Sequence, residues 1–80
     1  MERQTAIYKA FYEGLMLSIV HFMYRSEGLH CLESIKKKLE VVEKIDKPDD
    51  FNFYHRYTLQ CIDDAIENTN IYLQNKSKEQ

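Results

Sequence analysis

Apolar residues recur at helical spacing from Ile7 to Tyr24, and the run GLMLSIVHFMY from Gly14 to Tyr24 holds no Lys, Arg, Asp or Glu. At about 100° per residue, Tyr8, Phe11, Tyr12, Leu15, Met16, Ile19, Phe22 and Met23 share one broad face, and Gly14, Ser18, His21 and Arg25 lie on its flank. A surface helix needs a narrower stripe. The pattern predicts a first helix over about residues 3–25, with Thr5 as a candidate N-cap, covered by neighbours from two sides.

Ser26-Glu27-Gly28 is the first break, where Gly28 suits the left-handed residue that closes many helices. A second helix follows over about residues 29–45, with Leu32, Ile35, Leu39 and Val42 spaced as a narrow seam. Glu33 with Lys37, Glu40 with Lys44, and Glu43 with Lys47 stand in the favourable i,i+4 order, worth about 0.3 kcal/mol each. Pro48 ends this segment, since it restricts Lys47 and cannot sit inside a helix. Asp49 and Asp50 then suit the positive end of a third helix over about residues 50–73. Phe51, Tyr54, Cys61, Ile62, Ala65, Ile66, Tyr72 and Leu73 share its apolar face, and His55, Thr58 and Thr69 interrupt it.

Three helices joined by two short connections predict an all-α fold, a three-helix up-down-up antiparallel bundle, either closed or open and completed by dimerisation. The domain is expected to span residues 1–75, with residues 76–80 a polar frayed tail. Composition agrees with this class. Two Gly and one Pro in 80 residues leave few breakers, and 44% hydrophobic with 30% charged residues argues against disorder. An uncharged run of eleven residues falls short of the about 20 that span a bilayer. With two cysteines and no secretory pattern at the start, a cytoplasmic protein is expected, in no contact with membrane.

Charge and chemistry narrow the function. The net charge is −2, and from Pro48 to Asn75 only Arg56 stands against Asp49, Asp50, Asp63, Asp64 and Glu67, so the third helix is acidic. Nucleic acid, bound through phosphate neutralisation, is an unlikely ligand; a rival reading as a nucleic-acid-associated regulator would rely on Lys36, Lys37 and Lys38, which fan around the second helix. Cys31, Cys61, His21 and His30 could share one layer of the bundle. That allows a second rival, a metal-stabilised sensor, although no pair has i,i+3 or i,i+4 ligand spacing. Neither a nucleophile turn nor a Gly-rich phosphate loop occurs, so no catalytic residue, cofactor or metal is assigned and an enzyme is not expected. His55 reads as a buried, hydrogen-bonded polar group.

Apolar residues beyond the needs of a bundle mark the candidate partner surface. They are Phe53, Tyr57 and Ile71 on the third helix and Leu17 and Tyr24 on the first, with Val41 and Ile45 on the second; Tyr and Phe are enriched in protein interfaces. The expected function is non-enzymatic protein-protein association, as a regulator, adaptor or inhibitor and as a homodimer. Leu15 is assigned to the core and Lys37 to the solvated face. Leu15→Ala should therefore cost about 2–4 kcal/mol in urea unfolding, and Lys37→Ala under about 0.5 kcal/mol; unchanged stability in the first would refute the core assignment, and a larger loss in the second would refute the solvated one.

Overall fold

The computed structural model describes residues 2–78, which form α1 (Glu2–Phe22), α2 (Gly28–Glu43) and α3 (Asp49–Lys78). Each helix packs against the other two. The core is built from one line of positions per helix at alternating spacings of four and three. On α1 the line is Tyr8, Tyr12, Leu15, Ile19 and Phe22, of which the middle three are buried. On α2 it is Gly28, Leu32, Ile35 and Leu39, continued by half-buried Val42. On α3 it is Phe51, His55, Thr58, Ile62, Ala65 and Thr69, all buried. Such spacing keeps one stripe turned inward along the helix, as in coiled coils. Leu32, Leu39 and Ile62 are fully enclosed, and removing a side chain of this kind to Ala costs about 2–5 kcal/mol.

Contacts climb α1 and α3 together. The Tyr8 ring lies 5.3 Å from that of Phe51, Tyr12 meets His55, and Tyr24 meets Thr69 and Tyr72. The start of α1 also reaches the loop after α2, through the Tyr8 hydroxyl and the Asp46 carbonyl at 3.4 Å. At about 1.5 Å per residue, the 30 residues of α3 outrun both partners, and the molecule measures 54 × 18 × 16 Å.

Several local expectations are corrected. The helical turn at α1 ends at Phe22, because Tyr24 takes the left-handed conformation (φ 63°) that was assigned to Gly28. A non-glycine residue there is strained by about 1–2 kcal/mol. Two contacts offset this: the Tyr24 N–H donates to the Thr69 hydroxyl at 3.0 Å, and the Tyr24 ring sets its edge against Tyr72 at 5.5 Å. Thr5 lies inside α1, not at its cap. α3 continues to Lys78, into the polar tail expected from residue 76; residues 79 and 80 of that tail lie outside the described residues. Among the described residues none of the three i,i+4 pairs on α2 closes into an ion pair. Lys47 instead donates to the carbonyls of Val42, Glu43 and Ile45 at 3.1–3.4 Å, tying the C-terminal end of α2 to the loop that follows it.

Gly28 is required for space. Its φ is not positive, and a Cβ at this position would fall 1.9 Å from the Phe22 carbonyl oxygen. Neither atom belongs to a flexible side chain, so the end of α1 would have to move. Gly28→Ala should cost about 2–3 kcal/mol in equilibrium unfolding; an unaffected midpoint would show that the two helix ends do not approach this closely.

Candidate functional site: an aromatic groove between α1 and α3

The groove arises from what the seam leaves out. Beyond Phe51 on α3, Tyr54, Tyr57 and Phe53 step outward around the helix by about 60°, 120° and 160°. The seam position that follows Phe51 belongs to His55, 3% exposed, and Tyr54 is 51% exposed. This corrects the placement of Tyr54 on the buried face. Facing these rings, α1 presents Lys9, Glu13, Met16 and Leu17, while Tyr12, Phe51 and Thr58 make the floor. The cleft has a volume of about 620 Å³, within the about 300–1,000 Å³ of sites that take apolar ligands or side chains.

Three of the seven residues marked as candidate partner surface converge here: Leu17, Phe53 and Tyr57. They are 73%, 64% and 56% exposed. Tyr24 lies elsewhere, at the far end of α1, where it borders a smaller cleft of about 260 Å³ with Ser26, Tyr72, Leu73, Lys76 and Ser77. Ile71 is exposed and lines neither cleft. Val41 and Ile45 are exposed on α2. Met16 and Tyr54 are groove residues that the apolar pattern alone assigned to the core. The four-three spacing of Phe51, His55 and Thr58 carries the missing signal, since it excludes position 54 from the seam.

Beneath the groove, the Tyr12 hydroxyl and His55 Nδ1 are 2.9 Å apart, and the two rings meet edge to face. Either group can donate, according to the tautomer. The second ring nitrogen, Nε2, is buried without a hydrogen-bond partner. Burial holds the His55 pKa below its ordinary 6.5, the nearby Lys47 ammonium lowers it further, and Glu43 opposes both. Burial likewise pushes the Tyr12 hydroxyl up, with Tyr8 adding to the effect. Thr58 satisfies itself by donating to the Tyr54 carbonyl at 2.8 Å.

The groups that could have held a metal are dispersed. Among the described residues no three His, Cys, Asp or Glu side chains come together as a metal site. Cys31 and Cys61 are half-buried free thiols, while His21 and His30 are exposed. Of the lysine run on α2, Lys36 is drawn into a 2.7 Å ion pair with Asp63, which raises the lysine pKa through the hydrogen bond and the carboxylate charge. Lys37 and Lys38 are exposed. No helix among the described residues is long and apolar enough to cross a membrane. No protein-family model matches the chain, and comparison with curated proteins and with solved structures finds no match.

Because the folded chain disfavours protonated His55, it binds fewer protons than the unfolded chain below about pH 6.5. Stability should therefore hold from neutral pH to about 6.5 and fall as pH drops further, levelling only beyond the lowered folded-state pKa. Urea unfolding between about pH 7.5 and 5 measures this. His55→Leu should flatten the slope in that window; an unchanged slope would assign it to other groups.

Proposed function

We propose that this protein is a non-enzymatic association module, a regulator, adaptor or inhibitor that works as a homodimer. The observation that carries the reading is the open aromatic groove in which Leu17, Phe53 and Tyr57 come together. An apolar cleft flanked by exposed Tyr and Phe has the composition of a hot-spot pocket, where rigid rings contribute contact area at small entropic cost. The proposed architecture is an up-down-up bundle. Its support is the order of contacts: residues ascend together on α1 and α3, while the first turns of α1 reach the end of α2. Two free thiols suit a reducing, cytoplasmic setting.

The Tyr12–His55 pair does not favour a catalytic reading. Both residues are buried, and their hydrogen bond ties seam to seam. The nucleic-acid reading is weakened by Asp63, which sets a carboxylate against the lysine run.

Multi-angle light scattering over a tenfold or wider micromolar range should give twice 9.6 kDa. Replacing both Phe53 and Tyr57 by Asp should shift the mass toward monomer while leaving the circular dichroism helical, since both rings lie outside the core. A wild-type monomer at the highest concentration would overturn self-association and point to a different protein as the groove's occupant. Salt-sensitive binding to random duplex DNA would instead favour the lysine reading.

A further inference from the structure

We propose that the groove between α1 and α3 receives an amphipathic helix of another protein, whose apolar anchors enter among the rings and whose flanking residues are basic. This inference rests on reading the groove as an association surface, and it holds whether or not two copies of the chain pair.

The backbone decides what kind of segment fits. Both walls are helices and no strand occurs among the described residues, so the N–H and C=O groups of the walls are already spent inside α1 and α3. An extended peptide laid here would find no partners for its own backbone. A helix carries those bonds within itself, and its side chains at i, i+3 or i+4, and i+7 are the ones that enter an apolar groove.

The walls match such a helix in spacing and length. On α1, Lys9, Glu13 and Met16 line the groove and Val20 continues their row, at intervals of four, three and four. On α3, Asp50, Tyr54, Tyr57, Cys61 and Asp64 form the facing row, all about 60° to 140° from Phe51 on the groove side. The inner seams use neither row. Tyr54, Tyr57 and Val20 are exposed, and Met16 and Cys61 are half-buried. Tyr12 and His55 face each other with a sequence separation of 43, which sets Phe53 level with Ala10. From there to Val20 the apolar stretch runs roughly 15 Å, or about three turns, enough for anchors from i to i+7.

Charge selects the sign of the partner. The same register sets Asp50 level with Ile7, near Lys9 on the opposite wall, so the one cation of the groove stands against an acid at its lower end. Asp64 comes level with His21, about one turn above Leu17. Among the described residues neither Glu13 nor Asp64 is in an ion pair, and Asp64 accepts the Gln60 amide at 3.0 Å. Arg56, the one Lys or Arg between Pro48 and Asn75, falls about 140° from Phe51 on the side away from the rings. Lys36 is held by Asp63 against α2. The middle and upper rim are therefore acidic. Lys or Arg beside the anchors of a partner meets these carboxylates, whereas an acidic helix meets like charge, which is costly.

The test uses two fluorescein-labelled helical peptides of about 16 residues, roughly four turns, with Leu, Phe and Leu at i, i+4 and i+7. The flanking positions are Lys in one and Glu in the other. Fluorescence anisotropy with the full chain at low salt should show the basic peptide bound about tenfold or more tightly than the acidic one. Replacing both Phe53 and Tyr57 by Ala should weaken it by about tenfold or more. Glu13→Lys with Asp64→Lys should reverse the order of the two peptides. All of these positions are exposed, so circular dichroism should stay helical. No binding of the basic peptide, equal binding of the two, binding that survives loss of both rings, or an order unchanged by the lysine variant would each overturn the proposal. Sedimentation equilibrium without peptide reports the homodimer separately. A monomeric wild type that binds the basic peptide refutes the homodimer and keeps this partner, while a dimer that ignores excess peptide keeps the homodimer and refutes this partner.

Discussion

The seam admits one side chain per helix in each layer, and the rest of the structure follows from that narrowness. Three lines spaced four and three apart, on α1 from Tyr8 to Phe22, on α2 from Gly28 to Val42 and on α3 from Phe51 to Thr69, fill the space between the helices. A wider stripe cannot be accommodated. Phe11 and Met16, on the two flanks of the α1 seam, are half-buried as a consequence, and Leu17 and Val20 remain in solvent. The surplus of apolar residues on α1 is therefore surface rather than core, although the composition of the helix gives no hint of the division.

Polar residues in the seam are stabilised by local partners, and each partner has a further structural effect. Thr69 accepts the Tyr24 N–H and thereby holds the left-handed turn that separates α1 from α2. Without this acceptor the N–H would be a partly buried donor left unpaired, which costs about 1–3 kcal/mol. His55 is joined to Tyr12 through one nitrogen and leaves the other unpaired. Thr58 bonds within its own helix and contributes mainly the volume of its side chain. The upper end of the bundle thus depends on a side chain from α3 to define a turn near residue 24, more than forty positions earlier in the chain.

Helix number and most core positions were legible from spacing alone, since Leu15, Ile19, Leu32, Ile35, Leu39, Phe51, Ile62 and Ala65 are apolar residues at helical intervals and are buried. The errors lie where a residue's type and its position disagree. Tyr54 is apolar enough to suit the core, but its angle around α3 places it on the flank; His55 has the correct angle and the less suitable chemistry. Angle prevails, because a helix cannot rotate one residue inward without rotating its neighbours. Gly28 shows the reverse ambiguity. Gly serves both left-handed turns and close backbone approaches, and the distance to the Phe22 carbonyl, which decides between them, is a tertiary property. Of the candidate site, Leu17, Phe53 and Tyr57 were legible as surplus apolar residues, while their convergence depends on the α1–α3 register set by Tyr8 with Phe51 and Tyr12 with His55.

The same substitution of angle for chemistry links the core to the groove. At the level of Tyr12, α3 commits a polar ring to the seam and displaces the larger apolar body of Tyr54 to the rim, where Tyr57 and Phe53 continue it. An 80-residue chain has little stability to give away, and exchanging these roles would bury more apolar area. What the arrangement supplies instead is a floor fixed by the Tyr12–His55 hydrogen bond and walls of exposed rings whose χ angles are few. Local rules that are broken together in one place, here a polar seam beside exposed aromatics, are the kind of departure on which the proposed contact surface rests.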